Sequence, residues 1–140
     1  MSGEFIDTNV FIYLFDETAP DKQRIADQIV FGALETASAC TSFQVVQETL
    51  NVLTRKVEKP MSAGEARDFL DAVLVPLWRV MPSPTLYRRG IELQSRYQHG
   101  FYDALIIAAA LDGGCSVLYS EDLRHEQRIE GLTIRNPFVD

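Results

Sequence analysis

Four acidic residues lie at positions where their carboxylates could act together. Each follows or interrupts an apolar segment of the chain, and the four acids are Asp7, Glu48, Asp103 and Asp122. A partly buried carboxylate is costly unless it is paired, hydrogen-bonded or bound to a metal. Several carboxylates brought together repel one another, so either some take up protons or a divalent cation neutralises them. Because hard oxygen ligands suit Mg²⁺ or Mn²⁺ and suit zinc poorly, convergence of the four acids would predict a site for one of these cations.

Asp7 ends the first apolar segment. Phe5 and Ile6 precede it and predict a short buried strand. Asn9 is predicted to be the N-cap of a helix that opens with Val10. In an open α/β sheet, ligands bind outside the carboxyl ends of the strands. The Asp7 side chain is therefore expected at the place where such folds have their sites.

The second and third acids are predicted to lie on helices. Glu48 falls on the edge of the apolar face of a helix that Ser42 caps. Asp103 is the only charge between Phe101 and Leu111, a segment that is apolar on all faces and predicts a buried helix. Because that helix supplies no basic partner, burial of its carboxylate would be the most costly of the four.

The fourth acid follows the apolar strand predicted at residues 115–119. Glu121 and Asp122 are adjacent there, so either could face the other three acids. Side chains alternate along a strand, which places Ser120 and Asp122 on the same side. This alternation favours Asp122.

Each acid also has a simpler explanation when it is taken alone. Asp7 and Asp122 could be turn residues, Glu48 could be a solvated helix residue, and the helix dipole favours a carboxylate at the position of Asp103. The prediction of a site therefore depends on the joint pattern.

The intervening elements predict a fold that would bring the acids together. Strands are predicted at residues 5–6, 39–41, 78–81, 115–119 and 132–135. Helices are predicted at residues 10–15, 20–34, 43–59, 63–76, 85–98 and 101–111, the fourth of them opened by a capping box of Ser62 and Glu65. Strands that alternate with helices imply parallel βαβ units. We expect an α/β fold, a three-layer α/β/α sandwich with a short-stranded, mostly parallel central sheet.

Length and composition agree with one soluble domain over residues 1–140. The net charge of −7 argues against a simple electrostatic binder of nucleic acid, but not against an enzyme that acts on it. No membrane span or signal peptide is visible, which predicts a cytoplasmic protein. Cys40 and Cys115 are expected to be buried thiols and not a disulfide.

Four segments resemble the motifs of PIN-domain nucleases, in the order and spacing of that family. They are Phe-Ile-Asp7-Thr8-Asn9-Val, Thr-Ser42-Phe-Gln-Val-Val-Gln-Glu48, Tyr102-Asp103-Ala-Leu-Ile and Leu-Tyr-Ser120-Glu-Asp122-Leu. Ser120 stands where the family often has threonine. In size and in the lack of added domains, the chain looks most like the VapC-type toxin of bacterial toxin–antitoxin pairs.

The resemblance implies a function and a role for each motif residue. The four acids would bind one or two Mg²⁺ or Mn²⁺ ions, and the enzyme would be an endoribonuclease that hydrolyses RNA phosphodiester bonds. Thr8, Asn9 and Ser120 would orient the carboxylates or water. The implied partners are an RNA substrate, a small antitoxin protein and, in a homodimer, a second copy of the chain.

Two other functions are compatible with the same residues. The chain could be a PIN-fold metal-binding or interaction module without turnover. It could also be an aspartyl phosphatase, although such enzymes usually have a second Asp where this chain has Asn9. Several basic residues could guide an RNA backbone, although an ordinary solvated surface explains each more simply: Arg55, Lys56, Arg88, Arg89 and Arg96. His99 and His125 are not expected to be catalytic.

Overall fold

The computed structural model describes residues 3–139, so the first two residues and the last residue of the predicted domain lie outside it. Within that range the strands are β1 (Gly3–Ile6), β2 (Ala39–Ser42), β3 (Trp78–Val80), β4 (Cys115–Tyr119), β5 (Arg128–Ile129) and β6 (Leu132–Arg135). They form one sheet in the order β3-β2-β1-β4-β6-β5. Every neighbouring pair is parallel except β5 and β6. The predicted α/β sandwich with a mostly parallel sheet is confirmed.

The helices lie between these strands. They are α1 (Thr8–Tyr13), α2 (Pro20–Thr36), α3 (Phe43–Arg55), α4 (Ala63–Phe69), a π-helical turn (Leu70–Leu74), α5 (Val75–Leu77), α6 (Pro84–Tyr97) and α7 (Phe101–Asp112). In this arrangement β1, β2 and β4 are adjacent at the centre of the sheet. Their carboxyl ends therefore meet at one edge, as the prediction for Asp7 requires.

The start of α1 differs from the prediction. Its N-cap is Asp7 and not Asn9, because Asp7 has extended backbone angles and its Oδ1 accepts a hydrogen bond from the Thr8 N–H at 2.7 Å. Aspartate and asparagine are equally good N-caps, so the sequence alone does not distinguish the two positions. The helix consequently begins at the end of β1 without a loop, which places the Asp7 carboxylate at the helix N-terminus.

Further helix boundaries also differ from the prediction. α3 ends at Arg55, well before Lys59 and Pro60, with the N–H of Lys56 bonded to the carbonyl of Val52. The capping box of Ser62 and Glu65 is present. The helix that it opens passes into the π-helical turn and ends after Pro76. Proline is tolerated there because it lies in the first turn of α5, where its missing N–H is not needed.

Strand β5 was missed because it is two residues long and has no pattern of its own. It pairs with β6 through a two-residue turn at Glu130 and Gly131, which have φ of 54° and 93°. Positive φ at both positions is typical of the type I′ hairpin turn, in which glycine is favoured. The Glu130-Gly131 pair was the feature of the sequence that could have indicated this turn.

The core lies between the sheet and its helices. Phe5 and Ile6 of β1 are fully buried, and so is the middle of α7, from Ala104 to Ala110. The predicted buried helix is thus confirmed for this segment. Cys40 and Cys115 are buried free thiols with their Sγ atoms 3.6 Å apart, as predicted. Among the described residues, no helix has both the length and the apolar character needed to cross a membrane.

Candidate active site

A cleft of about 320 Å³ opens at the carboxyl ends of β1, β2 and β4. All four acids lie in its wall. The other lining residues are Thr8, Asn9, Gln44, Asn51, Val52, Lys56, Tyr102 and Ile106. The structure therefore brings together four carboxylates that are far apart in the sequence, the first near its beginning and the last near its end.

Asp7 is the most enclosed of the four acids. Its Oδ1 caps α1, and its Oδ2 accepts a hydrogen bond from the Ser120 hydroxyl at 2.8 Å. Burial raises the pKa of Asp7, and repulsion by Glu48 and Asp122 adds a smaller increase. The two hydrogen bonds lower the pKa, but the result is still a value of about 6. Near neutral pH such a carboxyl is largely ionised, and its charge is stabilised less well than it would be in water.

Glu48 is fixed by two donors on different helices. Its Oε2 accepts from the Thr8 hydroxyl at 3.1 Å, and its Oε1 accepts from the Gln44 side-chain amide at 2.9 Å. The same amide of Gln44 donates to the backbone carbonyl of Tyr102 at 3.2 Å. These bonds connect the start of α1, the first turns of α3 and the start of α7 around one carboxylate.

Asp122 and Glu121 have different surroundings. The Asn9 side-chain amide donates to Asp122 Oδ2 at 2.9 Å, and Asp122 lines the cleft. Glu121 instead accepts from the Tyr13 hydroxyl at 2.8 Å and forms an ion pair with Lys22 at 2.7 Å. Glu121 is absent from the cleft wall, so the geometry favours Asp122 as the fourth acid.

Asp103 lies in the first turn of α7 and is exposed. In the described part of the chain its carboxylate accepts no hydrogen bond and forms no ion pair. Its negative charge at a helix N-terminus is favoured by the helix dipole. Nothing that the structure describes neutralises this carboxylate.

The four carboxylates differ in their exposure. Glu48, Asp103 and Asp122 are exposed, and only Asp7 is partly buried. Asp7 is held between the N-terminus of α1 and Ser120, which follows β4. The buried face of α7 begins one residue after Asp103.

The side chains fit a divalent cation in their chemistry but do not form a complete cage. All four are hard oxygen donors, and burial, with a smaller contribution from Glu48 and Asp122, raises the pKa of Asp7. As the side chains stand, no group of three or more His, Cys, Asp or Glu residues within residues 3–139 is close enough to hold an ion. Mg²⁺ usually keeps several waters and is bound through one or two carboxylates, so the donor set suits such a cation.

Several functional candidates gained or lost support from their positions. Gln44 was not predicted, although it lies one helical turn before Glu48, the spacing at which helix side chains meet. Lys56 lines the cleft, whereas Arg89 and Arg96 lie away from it and face Glu130, at 2.7 and 3.9 Å. His99 and His125 do not line the cleft either.

Comparison with known proteins identifies the family. The family model of the PIN domain matches residues 5–130. No curated protein matches the chain.

Three solved structures share the fold. A toxin–antitoxin complex from Klebsiella pneumoniae has 19% identity and a TM-score of 0.69, and the match covers 96% of this chain and 98% of that one. Mycobacterium tuberculosis VapC20, described as a sarcin-ricin loop cleaving toxin, has 21% identity and a TM-score of 0.60, with coverage of 86% and 90%. VapBC2 from Rickettsia felis, bound to a DNA fragment from its promoter, has 15% identity and a TM-score of 0.65, with coverage of 94% and 96%. Because the family match spans most of the sequence, the chain belongs to the PIN-domain family.

Proposed function

We propose that the chain is a Mg²⁺- or Mn²⁺-dependent endoribonuclease and the toxin of a type II toxin–antitoxin pair. The observation that supports this most directly is the meeting of four carboxylates from separate segments in one cleft. Nuclease chemistry is characteristic of PIN domains, and one structural neighbour is described as a toxin that cleaves the sarcin-ricin loop. The other two neighbours are toxin–antitoxin assemblies, which supports a small antitoxin as partner. A homodimer and a cytoplasmic location remain part of this proposal.

In the proposed mechanism the four acids would hold one or two cations. A bound divalent cation lowers the pKa of a water molecule and stabilises the charge that develops on a phosphodiester. Three neighbouring side chains orient the carboxylates: Ser120 donates to Asp7, Thr8 to Glu48 and Asn9 to Asp122. Such outer partners typically contribute about 10–100-fold to metal affinity or activity.

Asp7 and Asp103 have different roles in this scheme. Asp7 Oδ2 is held by the Ser120 hydroxyl, so its position is fixed before substrate arrives. Its carboxyl binds a proton below pH of about 6, which competes with a cation. Asp103 lacks a hydrogen-bond partner in the described residues, so its carboxylate is free to rotate toward a cation or an attacking water.

The test is a titration of RNA cleavage with Mg²⁺ and Mn²⁺, for the purified chain and for Asp103→Asn. We expect cleavage that requires the cation and falls by at least about 100-fold in the variant, because the variant loses one anionic ligand. Asp112→Asn is the matched control, since Asp112 is the exposed last residue of the same helix and does not line the cleft. It should cleave as the unmodified chain does.

The principal alternative is a metal-binding or interaction module without turnover. The absence of a preformed three-ligand group in residues 3–139 is the observation that favours it. Equal Mn²⁺ binding by the unmodified chain and Asp103→Asn, with no cleavage of single-stranded or structured RNA, would establish that alternative. An aspartyl phosphatase has less support, because Asn9 occupies the position of the second Asp and donates to Asp122.

A further inference from the structure

Two adjacent acids that follow β4 are bonded to the same side of α1. The Asn9 amide donates to Asp122 at 2.9 Å, and the Tyr13 hydroxyl donates to Glu121 at 2.8 Å. Asn9 and Tyr13 are one helical turn apart, the spacing at which side chains of a helix are neighbours. Of the two acids, Asp122 lines the cleft and Glu121 does not. Helix α1 thus holds one acid at the cleft and the other away from it.

The backbone contributes little to the position of these two acids. Within residues 3–139, no hydrogen bond is made by the backbone N–H or carbonyl groups of Glu121 and Asp122. The nearest backbone donors are Ser120, which donates to the carbonyl of Arg135 at 3.1 Å, and Leu123, which donates to the Ser120 hydroxyl at 3.4 Å. Which carboxylate faces the cleft therefore depends on the partners of the two side chains.

Lys22 completes a triangle of contacts around Glu121. Its ammonium lies 2.7 Å from Glu121 Oε2 and donates to the Tyr13 hydroxyl at 3.1 Å. Because Lys22 lies in the first turn of α2, the triangle joins α1, α2 and the segment after β4. The side chain of Glu121 is only 23% exposed, so water stabilises its charge less than it would on an open surface. The ammonium of Lys22 is therefore the main compensation for that charge.

An aromatic ring packs against this triangle. Phe138 meets Tyr13 edge to face, with ring centroids 4.9 Å apart, and the Lys22 ammonium is 5.8 Å from the centroid of Phe138. A cation at such a distance is attracted to the ring. The N–H of Phe138 is in turn bonded to Asn136 Oδ1 at 2.9 Å. Lys22 is thus held by a ring and a hydroxyl as well as by the carboxylate of Glu121.

We propose that Lys22 is a positioning residue, which holds Glu121 against α1 and so leaves Asp122 as the acid that faces the cleft. This inference depends on the proposed nuclease function, because it assigns Lys22 a part in binding the cation of that function. Without Lys22, the half-buried carboxylate of Glu121 would have one neutral donor, the Tyr13 hydroxyl, and no compensating charge. The carboxylate would turn toward water, and the segment that carries Asp122 would move with it.

Titration of Mn²⁺ into Lys22→Met by calorimetry tests this role without RNA. Methionine keeps an unbranched apolar side chain and removes the charge. By Coulomb attraction alone, loss of a positive charge near four carboxylates would tighten the binding of a cation. We expect the opposite, a Kd about tenfold higher, because displaced Asp122 no longer contributes as a ligand with its outer partner in place. Lys22→Arg keeps the charge and should keep the Kd of the unmodified chain.

A second substitution shows whether Lys22 acts through Glu121. In Glu121→Gln the side chain keeps its shape and can still accept from the Tyr13 hydroxyl, but it has no charge to compensate. Adding Glu121→Gln to Lys22→Met should therefore return the Mn²⁺ Kd to that of the unmodified chain, which is the sign of a coupled pair. A double variant that binds Mn²⁺ as weakly as Lys22→Met does would overturn the proposal.

Arg24→Met is the matched control. Arg24 lies on the same helix and forms an ion pair with Asp21 at 3.2 Å, but both side chains are exposed and neither lines the cleft. Its replacement should change neither the Mn²⁺ Kd nor cleavage. Far-ultraviolet circular dichroism would verify that each variant is folded. A Kd for Lys22→Met equal to or lower than that of the unmodified chain would overturn the proposal.

Cleavage kinetics distinguish a positioning role from a contact with RNA. At a Mn²⁺ concentration near the Kd of the unmodified chain, Lys22→Met should lower kcat severalfold and leave KM nearly unchanged. Lys22 does not line the cleft, so its loss should not remove a contact to substrate. A raised KM with an unchanged kcat would mean that Lys22 contributes to substrate binding, and the positioning role would be wrong.

The two proposals fail in different ways in these experiments. The expected order of Mn²⁺ Kd values, without any cleavage by the unmodified chain, would support the positioning role and overturn the nuclease function. Mn²⁺-dependent cleavage by the unmodified chain, with a Kd that Lys22→Met does not raise, would support the nuclease function and overturn the positioning role.

Discussion

The Asp7 carboxylate contributes to both the fold and the proposed chemistry. One oxygen caps α1 and the other accepts the Ser120 hydroxyl, yet burial still raises its pKa to about 6. The two hydrogen bonds therefore do not compensate for the loss of solvent and for the charges of Glu48 and Asp122. Without a cation, the ionised carboxylate destabilises the folded chain at neutral pH.

Asp7→Asn should accordingly stabilise the cation-free protein while it abolishes cleavage. Because the folded pKa is raised above 3.8, the favourable contribution of the protonated carboxyl is present below pH of about 4 and is lost as pH rises through about 6. Asparagine keeps the cap and carries no charge. We expect the free energy of unfolding in EDTA to rise by about 1–3 kcal/mol at pH of about 7.5 and to change little at pH of about 4.

Urea unfolding at the two pH values measures this difference. Asp112→Asn serves again as the control, because Asp112 is exposed at the far end of α7. A variant that is no more stable than the unmodified chain at the higher pH would show that ionisation of Asp7 does not destabilise the folded chain. With Mn²⁺ added, the unmodified chain should become more stable than Asp7→Asn, since cation binding stabilises only the chain that has the carboxylate.

At the scale of elements, Gln44 connects the helices that position two of the acids. Its amide donates to Glu48 on α3 and to the Tyr102 carbonyl, one residue before Asp103 on α7. The residue is almost fully buried, so both bonds are partly shielded from water. A single side chain thus fixes Glu48 relative to the first turn of α7.

Gln44→Leu should therefore weaken cation use more than it weakens the fold. Leucine fills a similar volume but donates no hydrogen bond, so Glu48 loses one of its two partners. We expect the Mn²⁺ concentration for half-maximal cleavage to rise about tenfold, within the range that such outer partners contribute. Gln47→Leu, on the exposed side of the same helix, should leave that concentration unchanged. A fall in melting temperature without a shift in the Mn²⁺ midpoint would indicate a purely structural role.

The elements also show what local patterns could and could not predict. The capping box at Ser62, the cap at Ser42 and the buried helix α7 followed from spacing and residue type. The π-helical turn at Leu70–Leu74 has the apolar residues of an ordinary helix, so periodicity did not distinguish it. The strand order is set by packing between distant segments, which a single sequence does not display.

The same distinction applies to the candidate site. The four acids were predicted from residue types at the ends of elements, and the roles of their hydroxyl and amide neighbours from the resemblance to PIN-domain nucleases. All four acids line the cleft. Their exposure was not predicted, since it depends on where the cleft opens. Gln44 and Tyr102 were missed as site residues because each gains its position from a contact across two helices. Their place in the sequence did not indicate this contact.

For the whole molecule, charge limits how RNA can bind. The chain has a net charge of −7, and the cleft wall has four carboxylates and, in the described structure, one ammonium. Arg89 and Arg96 face Glu130 away from the cleft. Phosphate is therefore repelled from the cleft unless a cation neutralises part of this charge.

RNA affinity should consequently depend strongly on divalent cation and weakly on monovalent salt. The affinity for a single strand falls with KCl at a slope of about −0.7 in log–log form for each phosphate that a protein cation neutralises. With Lys56 as the one such group in the described cleft, we expect a slope of about −1 or shallower in Mn²⁺. Fluorescence anisotropy of a labelled single-stranded RNA with the cleavage-deficient Asp103→Asn chain measures this slope.

Lys56→Ala should flatten the slope further, whereas Arg88→Ala, on the exposed surface of α6, should not. A slope steeper than about −3 would mean that RNA follows an extended basic surface, and the cleft would then account for only a small part of binding.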